Sequence, residues 1–397
     1  MSHGPSPRST NGSPTVAGLF SGIGGIELGL ERAGFKTELL CECDAGAQAV
    51  VRKHFPKVPL WDDVTTLETL PDVTLASAGF PCQDLSQAGS MRGISGSKSG
   101  LVNNLLRLLE PKPGPEWVLI ENVSFMLHLH GGEAIGYLTT RLGELGFLWA
   151  YRVIESRAFG LPQRRQRVFL LASRTNDPRS VLFGSDEGES GHEPYRAGLA
   201  CGFYWTEGTR GLGLAVDAVP PLKGGSTVGI LSQPAIWMPD GRFVMPEIRD
   251  GERLQGFPAG WTSPARIAAV KATGHRWKLV GNAVSVPISR WLGRRILTET
   301  GAYRAENDCQ LTRSDRWPNA AWGRDDVAYS VAASKWPVKK TRPHLELFMR
   351  YPTQMLSSKA TAGFLDRAEN SSLHFPDGFL RAVRKHLNVM QAHPRKA

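Results

Sequence analysis

One cysteine stands where a thiol can do chemistry. Cys82 lies in GFPCQDLS, from Gly79 to Ser86, directly after an apolar run that predicts a strand. A free cysteine is usually buried and inert, but Gly79 and Pro81 frame this one in a loop at the end of that strand. A thiolate in such a loop can act as a nucleophile. We therefore take Cys82 as the candidate nucleophile.

Charged side chains are predicted at the same edge of the fold. Glu121 lies in ENV, at the end of the next predicted strand. Arg165 and Arg167 lie two apart in QRRQRVF, and hence on one side of an extended segment. A carboxyl and guanidinium groups beside a cysteine suit polarisation of a bound substrate. The alternative for the two arginines is a phosphate contact or a salt bridge.

A glycine-rich turn predicts a cofactor site. LFSGIGG, from Leu19 to Gly25, joins the first predicted strand to the first helix, and its glycines allow close approach of a ligand. The pattern is not the dinucleotide fingerprint, and a purely structural turn is the alternative. Glu42, at the end of the second strand, can accept both hydroxyls of a ribose. Asp63 can receive an adenine amino group, so we favour an adenosine-containing cofactor.

The elements that must position these residues alternate between strands and helices. TVAGLF, TELLCE, VTLASA and WVLIEN predict buried strands, and RVFLLAS predicts a later one. GIELGLERAG and EAIGYLTTRLGELG predict helices that end at Gly34 and Gly146. This alternation predicts a doubly wound, mostly parallel α/β sheet. Ligands of such sheets bind beyond the carboxyl ends of the strands, where the candidate residues fall.

Composition limits the class of protein. The net charge of +10 suggests an anionic partner. After residue 300 there are 16 Lys or Arg against 9 Asp or Glu, which suggests either DNA contact by this segment or a solvated basic surface. The five cysteines lack zinc-site spacing, so no metal is expected. With no secretory signal and no apolar run of membrane length, we expect a protein of the reducing cytoplasm that does not bind membranes.

Six segments, in order, resemble the motifs of the DNA cytosine-5 methyltransferase family. LFSGIGGIELGLERAGF is similar to its first motif, GFPCQDLS to its nucleophile loop, ENV to its acidic strand end and QRRQRVF to its arginine motif. RLQGFP and GNAVSVP are similar to its two closing motifs. The resemblance covers residues 15–297. It implies an S-adenosylmethionine-dependent methyltransferase sheet with a small irregular target recognition domain and a C-terminal extension.

The resemblance also implies a mechanism and a division of labour. Cys82 attacks carbon 6 of cytosine, Glu121 acts on ring nitrogen 3, Arg165 holds the carbonyl oxygen and Arg167 supports it. S-adenosylmethionine is the implied methyl donor. The residues expected to bind this cofactor are Phe20, Ser21, Gly22, Ile23, Gly24, Gly25, Glu42, Asp63, Val64, Pro81, Leu101, Asn282 and Val284.

The target base must be flipped out of duplex DNA to react. From their positions we expect Gln83 and Ser86 to contact DNA, together with Thr227 and Val228, which resemble the Thr-aliphatic pair of the family's recognition domain. The target sequence cannot be derived. SKSGLVNNLLRLL, from Ser97, occupies the place of a further motif of the family, its fifth. Lys98 and Val102 depart from that motif, and Gln166 stands where many members of the family have Glu between the two arginines. None of these departures removes a reacting group.

The domains implied are a tail at 1–14, a catalytic domain at 15–175 and 246–300, a target recognition domain at 176–245 and a basic accessory extension at 301–397. The alternatives are a methyltransferase acting on RNA, an inactive DNA-binding homologue and a nicotinamide oxidoreductase, which leaves GFPCQ and ENV unexplained. By analogy alone, the chain suits a bacterial restriction-modification or phage-defence system. It would act as a monomer on chromosomal DNA, alongside a cognate restriction or defence protein.

Overall fold

The computed structural model of the protein describes residues 12–80, 100–189, 195, 198–207, 209, 211–224, 233–268, 272–298, 301–312, 316–325 and 327–392. Six predicted site residues lie outside this part of the chain: Pro81, Cys82, Gln83, Ser86, Thr227 and Val228.

The larger of two sheets has the strand order β12-β14-β13-β6-β7-β5-β4-β1-β2-β3. Its strands are β1 Thr15–Leu19, β2 Lys36–Cys41, β3 Leu60–Trp61, β4 Leu75–Ala78, β5 Trp117–Val123, β6 Leu148–Glu155, β7 Gln166–Ser173, β12 Cys309–Gln310, β13 Ala320–Arg324 and β14 Val327–Ser330. The five strands predicted from apolar runs are all present. The sequence interpretation missed β6, which pairs with β7 along its whole length.

The strand directions confirm the predicted mostly parallel sheet. β1 pairs in parallel with β2 and β4, β2 with β3, and β4 with β5. β7 runs antiparallel between β5 and β6, and β13 runs antiparallel to β6 and β14. β1 to β6 and β14 therefore share one direction. The carboxyl ends of β1, β2, β4 and β5 meet at one edge, which is where a ligand site is expected.

Helices cover both faces of this sheet, as a doubly wound fold requires. The described helices are α1 Gly25–Glu31, α2 Ala45–His54, α3 Gly100–Leu109, α4 Glu133–Glu144, α5 Pro178–Phe183, α6 Ile248–Leu254, α7 Ala265–Ala268, α8 Ala272–Asn282, α9 Val286–Leu297, α10 Leu345–Phe348, α11 Ser358–Glu369 and α12 Phe379–Ala392. Side chains of α3 and α4 pack on one face, against Ala17 and Leu19 of β1. Those of α1, α5 and α9 pack on the other face, against Val16. Successive side chains of β1 therefore pack into hydrophobic cores on opposite faces of the sheet.

The recognition segment, residues 176–245, contains more regular secondary structure than the sequence suggested. It forms β8 Cys201–Phe203, β9 Ala215–Val216, β10 Ala235–Trp237 and β11 Phe243–Met245, which pair antiparallel in a second sheet. The fifth strand, β15 Gln354–Met355, comes from the C-terminal extension. Each strand is too short to give a periodic signal, which is why the segment was predicted to be irregular.

The C-terminal extension contributes to both sheets. β13 joins the larger sheet on β6, while β15 joins the second sheet on β11. Phe364 of α11 and Phe379 of α12 are fully buried against the aromatic residues of the second sheet. Helix α12 lies near the end of the chain. Among the described helices, none is long and apolar enough to cross a bilayer.

Candidate active site

A cavity of about 710 Å³ opens at the edge where β1, β2, β4 and β5 end. Ten of the residues predicted for the site line it: Phe20, Gly22, Glu42, Asp63, Val64, Leu101, Glu121, Arg165, Arg167 and Asn282. Ser21, Ile23, Gly24, Gly25 and Val284 are described but are not among its lining residues. Residues separated by more than 200 positions in sequence thus meet at one site.

The glycine-rich turn takes a backbone shape that only some residues allow. Gly22 and Gly24 have φ of 54° and 77°, in the left-handed region that favours glycine, and Phe20 has φ of 55°. A Cβ atom on Gly25 would lie 2.6 Å from the carbonyl oxygen of Val284. Val284 therefore packs against the base of the turn, which explains its place outside the cavity lining.

Glu42 lies at the end of β2 with its carboxylate held by two backbone amides. Gly22 N–H donates to Oε2 at 2.7 Å, and Asp44 N–H donates to Oε1 at 2.8 Å. Burial raises the pKa of this carboxyl, whereas the hydrogen bonds from the backbone amides of Asp44 and Gly22 act to lower it. These two hydrogen bonds fix the position of the carboxylate, and its oxygens can still accept further hydrogen bonds. The arrangement suits a bound diol.

Asp44, two residues after Glu42, connects the end of β2 to helix α8. Its side chain caps α2 by accepting from the amides of Gly46 and Ala47. His275 Nε2 lies 2.8 Å from Asp44 Oδ1, and Lys278 Nζ lies 3.8 Å from Oδ2. These contacts lower the pKa of Asp44, although burial opposes them. Asp44 and Lys278 both line the cavity, and the sequence interpretation identified neither.

Asp63 stands at the rim of the cavity in open solvent. Thr65 N–H donates to Oδ1 at 2.8 Å, and hydrogen bonding from Thr65 lowers the pKa of Asp63. The carboxylate is therefore ionised at neutral pH and can accept a hydrogen bond from a ligand amine.

Glu121 and Arg167 face each other across the ends of two paired strands. Glu121 is the register partner of Phe169 in β7, and Arg167 Nε lies 3.2 Å from Glu121 Oε1. The carboxyl is almost fully buried, and Oε1 makes no hydrogen bond within the described chain. Burial raises the pKa of Glu121, although the charges of Arg167 and Arg165 act to lower it. A buried carboxyl whose hydrogen-bonding capacity is unfilled within the described chain is suited to hydrogen-bond a ligand.

Arg165 lies directly before β7, where backbone carbonyl oxygens surround its side chain. Its guanidinium is fully buried and donates to the carbonyl oxygens of Leu222, Gly281 and Ala283 at 2.8 to 3.2 Å. Nε makes no hydrogen bond within the described chain. Arg165, in the motif QRRQRVF, thus connects this motif to the closing motif GNAVSVP and to the backbone at Leu222. Arg167 presents the more accessible guanidinium.

Other residues that hold the site together were not identified as site residues from the sequence, although Asn122 lies in the motif ENV and Gln255 in the motif RLQGFP. Asn122 Nδ2 donates to the carbonyl of Phe80 at 3.1 Å, at the last described residue before the cysteine loop. Trp261 Nε1 donates to the carbonyl of Ile23, in the glycine-rich turn, at 2.8 Å. Gln255 Nε2 donates to the carbonyl of Val280. The motif RLQGFP thereby supports GNAV from within the core.

The chain was compared with known proteins. Residues 15–194 match the family model for C-5 cytosine-specific DNA methylase. The Type II methyltransferase M2.BsuMI of Bacillus subtilis (strain 168) is 46% identical over 385 residues, which cover 93% of this chain and 97% of that protein. Type II methyltransferase M.HaeII of Haemophilus aegyptius is 34% identical over 155 residues, 38% of this chain and 48% of that protein.

Solved structures share the fold at low sequence identity. The Entamoeba histolytica methyltransferase EhMeth aligns with a TM-score of 0.53 and 14% identity, covering 73% of this chain and 100% of that one. The S. pombe Dnmt2 methyltransferase aligns with a TM-score of 0.51 and 19% identity, covering 70% and 97%. The likeness extends to M2.BsuMI over nearly the whole of both chains. The chain therefore belongs to the C-5 cytosine-specific DNA methylase family and is a DNA cytosine-5 methyltransferase.

Proposed function

We propose that the cavity binds S-adenosylmethionine and a flipped-out cytosine side by side. The observation that carries the proposal is that two groups of polar residues line different parts of the same cavity. Glu42 lies at the end of β2, and the Glu121–Arg167 pair lies at the end of β5. A cavity of about 710 Å³ has room for both.

The residues at the β2 end fit an adenosine cofactor. Glu42 would accept the ribose hydroxyls, Asp63 the adenine amino group, and Phe20, Val64 and Leu101 would supply apolar contact. Gly22 and Asn282 would line the pocket, with Pro81 beside it. Ser21, Ile23, Gly24, Gly25 and Val284 would shape the turn from behind. When bound, the cofactor supplies an electrophilic methyl group.

Residues at the β5 end would activate the base. The Cys82 thiolate adds to carbon 6 of cytosine, and the electron density gained by the ring makes carbon 5 nucleophilic. Glu121, whose pKa is raised by burial, hydrogen-bonds ring nitrogen 3 and draws charge away from carbon 6. After methylation, loss of the carbon 5 proton and expulsion of Cys82 restore the aromatic ring.

The structure favours a modified assignment for the two arginines. Because Arg165 already donates to three backbone carbonyls, we infer that its main task is to hold the closing motif in place. Arg167, paired with Glu121 at the cavity, is the better donor for the cytosine carbonyl oxygen.

Duplex DNA is the proposed substrate, with Gln83 and Ser86 contacting the opened helix and Thr227 and Val228 contacting the recognition side. The domain division at 1–14, 15–175, 176–245, 246–300 and 301–397 remains a proposal. So does action as a monomer in the bacterial cytoplasm. The similarity to Type II methyltransferases supports the further proposal of a cognate restriction or defence protein.

The proposal is tested by trapping the covalent adduct. A duplex with 5-fluorocytosine, incubated with S-adenosylmethionine and the full chain, should give a protein–DNA adduct that survives denaturation, since fluorine is not lost as a proton is. The adduct should be absent in Cys82→Ala and retained in the matched variant Cys309→Ala, which changes an exposed cysteine of β12. An adduct that persists in Cys82→Ala would refute the assignment. A parallel assay with RNA tests the rival substrate.

A further inference from the structure

Glu27, in the first turn of α1, is a buried carboxyl to which the proposed chemistry gives no role. It is 1% exposed. Ser77 Oγ donates to Oε1 at 3.0 Å, whereas Oε2 makes no hydrogen bond within the described chain. A Cβ atom on Gly18 would lie 2.2 Å from Oε1, so the carboxyl occupies space that only a glycine leaves open. Because Gly18 and Ser77 are register partners in the paired strands β1 and β4, the Glu27 carboxyl lies against one face of this strand pair.

These two strands lead into the two loops of the site. Gly18 is two residues before Phe20, and Ser77 is two residues before Gly79. Phe20 and Gly79 both line the cavity. Ser21 Oγ also donates to the carbonyl of Gly18 at 3.0 Å, which anchors the start of the glycine-rich turn beside the carboxyl. A change in the volume or charge of Glu27 is thus transmitted directly to both loops.

The surroundings of Glu27 offer it little charge compensation. Within the described chain it makes no ion pair of 4 Å or less. Glu31 on its own helix and Glu42 at the end of β2 both act to raise its pKa. From α9, which packs along α1, Arg290 acts on Arg32 at the other end of the helix. Burial is the largest cause, and the pKa of Glu27 is raised to about 7.

We propose that Glu27 is a positioning residue of the cofactor pocket, a buried carboxyl that packs on Gly18 of β1 and hydrogen-bonds Ser77 of β4 and so supports the two loops that follow these strands. The inference rests on the proposed cofactor site. Loss of the proton places an uncompensated charge against the buried face of Gly18 and Ser77. The carboxylate then shifts on this face, and the glycine-rich turn after Gly18 loses the shape that binds the cofactor. Glu27 touches neither cofactor nor base, and its effect is on cofactor affinity.

The test measures the Kd of S-adenosylhomocysteine by calorimetry between pH 5.5 and 9 without DNA. In the wild type, affinity should be constant in acid and should fall by about tenfold or more between pH 6 and pH 8.5, with an inflection near the pKa of Glu27. Glu27→Gln keeps a neutral side chain of the same size, so it should bind with the wild-type acid affinity and lose this dependence. Titration of the ligand itself affects both proteins equally and cancels in their ratio.

Two further variants keep the inference falsifiable if Glu27→Gln folds poorly. Ser77→Ala removes a hydrogen bond that lowers the pKa of Glu27, so its inflection should move to higher pH. Glu31→Gln removes an exposed charge on the same helix that acts to raise the pKa of Glu27, so its inflection should move to lower pH, opposite to that of Ser77→Ala. The inference is wrong if Glu27→Gln parallels the wild-type profile or if Ser77→Ala leaves the inflection unmoved. Absence of binding at every pH in the wild type would instead contradict the cofactor assignment.

Discussion

At the scale of single residues, three carboxyls of this protein differ in how water and hydrogen-bond partners reach them. Glu42 is held by two backbone amides, Glu121 faces a guanidinium, and Glu27 has one hydroxyl partner. Burial raises the pKa of all three. The groups therefore differ in function because of their partners.

Glu121→Gln should lower kcat by about 10²- to 10⁴-fold, the usual contribution of a general acid. The raised pKa keeps the wild-type carboxyl protonated to higher pH, so wild-type activity should decline on the alkaline side as Glu121 ionises. Methyl transfer to DNA, measured from pH 6 to 9, checks both expectations. Glu68→Gln, at an exposed carboxyl, is the matched control. An unchanged kcat in Glu121→Gln would remove this residue from the mechanism.

Glu27→Gln should also stabilise the folded protein in alkaline solution. Because the folded pKa of about 7 exceeds the ordinary value of 4.5, the folded state retains a proton that the unfolded state releases. Wild-type stability therefore falls as pH rises from 4.5 to about 7 and is level above that. The gain in the glutamine variant should reach about 3 kcal/mol at pH 8 and shrink toward pH 5. Urea unfolding at the two pH values measures it, and an equal effect at both would contradict the assignment.

At the scale of elements, two arginines at the start of β7 have different tasks, Arg165 directly before the strand and Arg167 within it. Arg165 serves the closing motif and Arg167 serves the cavity, although they are separated by one residue on the same extended segment. Sequence alone gives both the same side of a strand. Their different burial is decided by the segments around residues 222 and 283, which cover Arg165 only.

Arg165→Ala should therefore destabilise the protein, whereas Arg167→Ala should act mainly on catalysis. Removing the Arg165 guanidinium leaves three carbonyl oxygens without their donor in a dry environment, an expected cost of about 3 kcal/mol or more. The midpoint of urea unfolding should fall clearly for Arg165→Ala and little for Arg167→Ala. Single-turnover methylation should be slowed in both. Equal loss of stability in the two variants would show that the clamp is not specific to Arg165.

The elements around the cavity were largely predictable from sequence, and their tertiary partners were not. β1, β2, β4 and β5 are apolar runs whose ends mark the site, so Glu42 and Glu121 could be identified from position. Trp261 supports the turn at Ile23 from 238 positions away, which no local pattern predicts. β6 was missed because Arg152 interrupts its apolar pattern. That arginine is tolerated in the core because it donates to the carbonyls of Leu182, Ser185 and Ser334.

At the scale of the whole molecule, the C-terminal extension binds the two sheets together. Asp217, at the end of β9, accepts hydrogen bonds from Arg342 Nη1 at 2.7 Å, from His344 Nδ1 at 2.9 Å and from the backbone N–H of Leu345 at 2.8 Å. Arg253 of α6 donates to the carbonyl of Phe348. These bonds join the recognition segment, the closing motif and the extension at a single junction.

Phe379→Ala should unfold the second sheet more readily than the first. Phe379 is fully buried and contacts the rings of Phe203, Trp237 and Phe243. Truncation of a buried phenylalanine costs about 3–5 kcal/mol. Hydrogen exchange should show lost protection in β8, β10 and β11 with little change in β1 and β4. Val389→Ala, at an exposed position of the same helix, serves as the control. Uniform loss in both sheets would indicate one cooperative unit.

The basic charge of the extension must be tested without removing it, since deletion would uncover the aromatic core of the second sheet. Arg381 and Lys385 of α12 are exposed and make no ion pair of 4 Å or less within the described chain. If this helix contacts DNA phosphates, Arg381→Gln with Lys385→Gln should weaken binding equally on all sequences and reduce the slope of log K against log salt by about 1–2. We expect this reduction because much of the net positive charge lies after residue 300. An unchanged slope, with unfolding also unchanged, would mean that the basic face of α12 points away from DNA and that the extension is purely a structural clamp.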